Sequence, residues 1–164
     1  MFWILVFSYW IHLLATVVWF GSLVLMAIAA WPALQKGGVA ANSWLVLQKR
    51  LTPGANISLV LLLITGFVQM TNDVNYTGFL AIDSTWAWAM LVKHIAFGLL
   101  AILTVYLQFG LYPAAERIAL LVDKRPNLAQ EEQQKLAQRE KQILWLNLAC
   151  AAAILFCTAV ATAV

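Results

Sequence analysis

Long apolar stretches without charge constrain this chain more than any other feature. The first thirty residues contain no aspartate, glutamate, lysine or arginine. Three more stretches are nearly as apolar. A helix needs about 20 apolar residues to cross a bilayer, and helices satisfy all their backbone groups inside lipid. The sequence therefore predicts a single domain, residues 1–164, folded as an all-α integral membrane four-helix bundle. The predicted spans are about 2–30, 53–70, 85–112 and 143–164.

Composition excludes a soluble fold. Apolar residues make up 63% of the chain and charged residues 10%, whereas soluble domains carry roughly 25% charged residues. The pI near 9.0 reflects ten basic against seven acidic residues. Because the basic residues lie beside apolar stretches, membrane orientation explains them better than nucleic-acid binding. We expect the lipid bilayer, and no nucleic acid, as the surroundings of the chain.

Prolines and polar caps indicate where the helices end. Thr52 is a suitable cap for the second span, with Pro53 in its first turn. Pro113 is predicted to end the third span. Asn127, followed by Gln130, is predicted to cap a charged cytoplasmic helical extension, residues 127–142, that continues into the fourth span.

Lysine and arginine predict the orientation, because positively charged loops stay in the cytoplasm. They occur between spans one and two and between spans three and four, and are absent between spans two and three. We therefore expect a multi-pass protein of the cell inner membrane with both termini periplasmic or extracellular (N-out/C-out). Trp3, Trp10, Trp86 and Trp88 would then lie at the outer interface.

The two histidines, His12 and His94, both lie inside predicted spans, where ionisable residues are costly and often functional. His12 is about ten residues into span one and His94 about nine into span three, at ~1.5 Å per residue. The two spans run in the same direction. Both imidazoles are therefore predicted at a similar depth in the outer half of the membrane.

Two imidazoles at one depth can hold one metal between parallel helices. Haem b is the first interpretation, with His12 and His94 as axial ligands, since it needs no covalent attachment motif. Ala15, Thr16 and Gly98 lie one turn from the histidines, and their small side chains would leave room for the macrocycle. Small residues suit close helix packing equally well.

Two further residue types bear on the site. Lys93 either extends its amine outward to the interface or neutralises an anion, such as a haem propionate or Asp83. Copper is the rival metal, because His94, Met90 and Met70 combine imidazole with soft thioethers, which suit Cu(I).

Short motifs resemble the copper resistance protein D (CopD-like) membrane family. They are residues 10–21 (WIHLLATVVWFG), 32–34 (PAL) and 62–66 (LLITG), together with Lys93. The resemblance covers residues 10–115, and span four matches by hydropathy alone. This family is close to the HemJ-like protoporphyrinogen oxidases, which bind haem b and carry a histidine and a lysine at positions that look like His12 and Lys93. The resemblance implies copper handling or haem-linked redox chemistry.

The sequence thus predicts a membrane haem b protein for electron transfer or haem-dependent oxidation, with a quinone or a periplasmic redox protein as its partner. One alternative is a copper-binding or copper-transport module. The chain is short for transport, because four helices form only a thin translocation path in a monomer. The other is a non-catalytic subunit of a larger membrane complex or homo-oligomer. No hydrolytic motif or nucleophile–base pair is visible, and no enzyme activity is assigned.

Overall fold

The computed structural model describes residues 2–36, 39–78, 82–121 and 126–164, with side chains for 2–28, 46–78, 82–118 and 129–164. Within these ranges the chain is helical and has no strand. Four helical stretches are long and apolar enough to cross a membrane. The prediction of an all-α membrane bundle of four helices is confirmed.

Five α-helices and one π-helical turn make up the described chain. They are α1 (Phe2–Lys36), α2 (Val39–Thr71), α3 (Thr85–Tyr106), the π turn (Leu107–Leu111), α4 (Tyr112–Leu121) and α5 (Pro126–Ala163). The π turn and α4 continue α3 within one apolar stretch, Thr85–Ile118. Ser84 caps α3 by accepting a hydrogen bond from the backbone N–H of Ala87.

The predicted start of the second helix at Thr52 is wrong. Helix α2 begins at Val39 and carries Pro53 in its interior. Proline removes one N–H donor, so the carbonyl of Lys49 loses its usual helical partner. Membrane helices tolerate this, because neighbouring helices and polar side chains can satisfy the freed group. A proline alone therefore did not define the helix boundary.

The predicted end of the third helix at Pro113 is also wrong. The chain stays helical through Pro113 to Leu121, and the π turn immediately precedes that proline. The ring of a proline clashes with the carbonyl four residues earlier, here that of Phe109. Phe109 belongs to the wider π turn, which relieves this crowding and lets the helix continue.

Helix α5 is continuous from Pro126 to Ala163. The side chain of Asn127, the predicted cap, lies outside the described residues. Buried positions recur along α5 at intervals of three or four residues, which defines one face turned toward the bundle. They are Leu144, Asn147, Cys150, Ala151, Ile154, Cys157 and Ala161.

The helices pack as two pairs. Helix α1 packs along α2, α3 packs along α5, and α1 also contacts α5. Among the described residues, α1 and α3 do not approach each other closely, and neither do α2 and α3. The core between the pairs includes Ala15, Trp19, Leu100 and Ala151. The gap beside this core is where the candidate site lies.

Candidate metal site

A cavity of about 250 Å³ lies between the two helix pairs. Residues of α1, α2, α3 and α5 line it, and most of them are apolar. Asp73 and Trp86, which flank the connection between α2 and α3, also line it. This cavity, which we call the main cavity, therefore lies at the end of the bundle where α2 and α3 are connected. Its polar or ionisable lining residues are Tyr9, His12, Thr16, Gln69, Asp73, Lys93, His94, Thr158 and Thr162.

His12 is held by a hydrogen bond across the α1–α2 seam. Its Nδ1 is 2.7 Å from the Thr65 Oγ1, and the Thr65 hydroxyl donates its own hydrogen to the Leu61 carbonyl at 2.6 Å. This network requires Nδ1 of His12 to be the donor. The Nε2 atom then keeps its lone pair, and no described residue bonds to it. A neutral imidazole in this tautomer is ready to ligate a metal.

His94 is oriented in an equivalent way within α3. Its Nδ1 is 2.6 Å from the backbone carbonyl of Met90, and a carbonyl oxygen only accepts, so Nδ1 must donate. The imidazole ring also lies 6.0 Å from the Phe67 ring, centroid to centroid. Both histidines thus line one cavity with Nε2 free, each anchored through Nδ1.

Two methionines line the same cavity as this pair of imidazoles. Met70 and Met90 both line the main cavity and share an apolar cluster with Trp86 and Tyr76. Their thioethers add soft donors beside two nitrogen donors. Among the described residues, no three His, Cys, Asp or Glu side chains come together as a metal site.

Lys93 lines the same cavity but forms no ion pair with any described residue. Asp83, its partner in the sequence analysis, is exposed and does not pair with it. Asp73 is the carboxylate that shares the cavity lining with Lys93. The amine therefore shares the cavity lining with the two imidazoles and has no direct ion pair with any described residue.

Only one of the three small residues predicted to make room for a macrocycle lines the cavity. Thr16 lines the cavity, and its hydroxyl donates to the His12 carbonyl at 2.8 Å. Ala15 is buried in the core at 4% exposure, and neither it nor Gly98 lines the cavity. A methyl group at Gly98 would meet nothing within 4 Å. Ala15 therefore serves helix packing.

Several contributors were missed from the sequence. Thr65 belongs to the LLITG motif and was assigned no role from the sequence, yet it fixes the tautomer of His12. Trp86 was expected at the outer interface; it is 5% exposed, whereas Trp3, Trp10 and Trp88 are exposed. Its indole Nε1 is buried without a partner among the described atoms. A hydroxyl within a membrane span, as at Thr65, was the available signal.

Comparison with known proteins gives one match. The family model for copper resistance protein D matches residues 45–161. That segment includes most of α2, all of α3, the π turn and α4, and most of α5, and therefore Thr65, Met70, Met90, Lys93 and His94. No curated protein and no solved structure matches the chain.

Proposed function

Since the chain belongs to the copper resistance protein D family, we propose that it binds Cu(I) in the main cavity. His12 and His94 would supply imidazole ligands, and Met70 and Met90 would supply thioether ligands. The observation that carries this proposal is the shared tautomer: both histidines line one cavity with Nε2 unpaired. Copper is here a bound and transported ion, and not a resident cofactor.

The donor set favours Cu(I) over harder ions. Soft sulfur and imidazole ligands suit Cu(I), whereas Mg²⁺ and Ca²⁺ need several oxygen ligands. Burial in an apolar cavity also favours an ion that needs no ordered water shell. The positive charge of Lys93 weakens the binding of any cation beside it. A weakened site suits an ion that is passed on.

Haem b is the second candidate, and one observation favours it: two imidazoles line the same cavity. Haem would supply one-electron chemistry if bound there, and His12, His94 and Lys93 would be the residues that hold it. The fit is poor. The cavity of about 250 Å³ is below the ~300–1,000 Å³ of ordinary small-molecule sites, and a haem is a large ligand. The size of the cavity supports a metal ion better.

We also propose that the main cavity lies in the outer half of the cell inner membrane, with both termini outside. The support is twofold. Lysine and arginine are absent between Thr71 and Thr85, which favours an external position for that connection. Asp73, from the same connection, lines the cavity. Copper would therefore enter from the periplasmic or extracellular side.

The test is Cu(I) binding by the purified protein, measured by competition with a chromogenic Cu(I) chelator under reducing conditions. We expect one Cu(I) per chain. His12→Ala and His94→Ala should each lower the affinity by about 10- to 100-fold, the usual range for loss of a ligand or its support. Trp10→Ala, at an exposed position of α1, is the matched control and should bind normally.

An absorption spectrum of the same preparation tests haem. A Soret band that disappears in both histidine variants, with no copper bound, would replace copper by haem b. Normal copper binding in both histidine variants would refute the ligand assignment.

A further inference from the structure

A second, much smaller cavity of about 30 Å³ lies deeper in the bundle. The indole of Trp19 lines both the main cavity and this one. Trp19 is 5% exposed and belongs to the core between the helix pairs. Its ring is therefore the partition between the two spaces. The inner cavity, as we call the smaller one, is also lined by Met26, Thr52, Thr104, Gln108, Tyr112 and Asn147.

The inner cavity holds an unsatisfied acceptor. Asn147 on α5 is 1% exposed, and its Oδ1 has no hydrogen-bond partner among the described atoms. Buried amide oxygens are costly when left unpaired, so such an atom indicates a guest. A volume of ~30 Å³ matches the space of one water molecule or one ion. The lining thus indicates a site for a single small species.

Met26 gives the inner cavity a chemical preference. All three methionines whose side chains are described, Met26, Met70 and Met90, line either the main or the inner cavity. The inner cavity has one thioether, one free amide oxygen and no carboxylate in its lining. It would therefore hold Cu(I) more weakly than the main cavity. Weak intermediate sites are what permits an ion to leave and conduction to proceed.

A third cavity, of about 340 Å³, continues the series. Thr52, Gln108 and Tyr112 line both it and the inner cavity. Lys49 and Glu116 also line it, and they form an ion pair of 2.8 Å with both side chains largely exposed, at 69% and 50%. The third cavity therefore reaches solvent-accessible charged groups at the opposite end of the bundle from Asp73.

We infer that these three cavities form the path by which Cu(I) crosses the bundle, with an intermediate Cu(I) site at Met26 and Asn147. Trp19 is the barrier between the main cavity and that intermediate site. The inference rests on the proposed function and extends it from binding to transport. No bond is made or broken beyond ligand exchange at the ion.

The test is Cu(I) uptake into proteoliposomes that contain a fluorescent Cu(I) chelator, alongside Cu(I) affinity in detergent. Met26→Leu and Asn147→Leu should each lower the uptake rate by about tenfold or more and leave the affinity of the main cavity unchanged. Unchanged affinity also shows that each variant is folded. Met26→Leu conserves volume and keeps the test available should Asn147→Leu misfold.

Trp19→Phe tests the barrier. A smaller ring should raise the uptake rate by about two- to tenfold if passage across Trp19 limits it. Trp145→Phe is the matched control, because Trp145 is 57% exposed on α5; it should leave the rate unchanged.

The outcomes separate the two proposals. Tight Cu(I) binding by the unmodified protein without any uptake would overturn the path and leave the proposed function intact. Uptake that persists at full rate in both Met26→Leu and Asn147→Leu would likewise overturn it. Absence of Cu(I) binding by the unmodified protein would overturn both.

Discussion

Thr65 determines which nitrogen of His12 is available in the main cavity. Its hydroxyl hydrogen is committed to the Leu61 carbonyl, so its oxygen accepts from Nδ1 of His12. The outer partners of metal-binding histidines fix both tautomer and ring orientation. In the proposed Cu(I) site, Thr65 would therefore orient His12 without touching the ion.

Replacing Thr65 with valine tests this control. Thr65→Val keeps the shape of the side chain but leaves the Nδ1–H of His12 without an acceptor, which costs about 1–3 kcal/mol. We expect Cu(I) affinity to fall by about 10- to 100-fold, measured by chelator competition. Thr65→Ser, which keeps the hydroxyl, should bind nearly normally. Equal affinities for the valine and serine variants would show that the hydrogen bond has no role.

Lys93 provides a test of opposite sign. Lys93→Leu removes a positive charge from the cavity lining without adding a donor atom, so Cu(I) should bind more tightly, by about 1 kcal/mol or roughly fivefold. Lys93→Arg keeps the charge and should change the affinity little. Chelator competition at two salt concentrations checks both. Weaker binding in the leucine variant would contradict a repulsive effect of the amine on the ion.

At the residue scale, the sequence predicted the common level of His12 and His94 but not the hydrogen bonds that hold them. Counting along two parallel spans puts His12 and His94 at one level, and in the structure both line one cavity. The role of Thr65 could not be predicted, because it depends on the rotation of α2 against α1. Spacing along one helix does not fix that rotation.

The reciprocal amide pair between Asn56 and Gln108 links α2 to the π turn. Each side-chain amide donates to the other's oxygen, at 3.0 and 2.7 Å. Helices α2 and α3 do not otherwise pack closely among the described residues. This pair therefore adds a polar link between α2 and the π turn, beside the apolar cluster in which Leu51 of α2 packs with Leu107 and Leu111.

A double-mutant cycle measures that link. Asn56→Leu and Gln108→Leu should each lower the free energy of unfolding by about 1 kcal/mol, since each leaves a polar partner unpaired. The double variant should lose less than the sum, with a coupling of about 0.6–1.7 kcal/mol, the range for hydrogen bonds between membrane helices. Unfolding by SDS in mixed micelles is the measurement. Additive losses would show that the amides do not interact.

At the element scale, hydropathy identified the helices correctly, but the helix ends predicted from proline were wrong. Pro53 and Pro113 both lie inside continuous helix, although each was expected at a boundary. Proline rules derive from water-soluble helices, where a freed carbonyl can turn to solvent and end the helix. Inside lipid the helix is the least costly backbone, so it continues through the proline.

The orientation of the whole molecule has a direct test. In a background with Cys150→Ala and Cys157→Ala, Thr77→Cys should react with a membrane-impermeant maleimide in intact cells. Gln130→Cys should react only after permeabilisation, because the connection between spans three and four carries six lysines and arginines. Thr77 is preferred to Gly78, whose φ of +146° would strain any other side chain. The reverse labelling pattern would put the main cavity in the inner half of the membrane.

At the scale of the whole molecule, the fold class followed from composition and hydropathy alone, and the arrangement of the helices did not. Lipid surrounds the bundle, so apolar residues face outward as well as inward, as with exposed Val17 and Phe109. Periodicity then says little about which face of a helix packs inward. The pairing of α1 with α2 and of α3 with α5 had to come from the structure.

That pairing has a consequence for assembly. Each pair is made of membrane spans that are consecutive in the chain, since the π turn and α4 extend α3, so each can form its own seam as a local hairpin soon after insertion. The space between the hairpins, with one imidazole contributed by each, forms only when the two hairpins dock. A copper ion that binds both His12 and His94 would bind only the docked state and would therefore favour it by mass action.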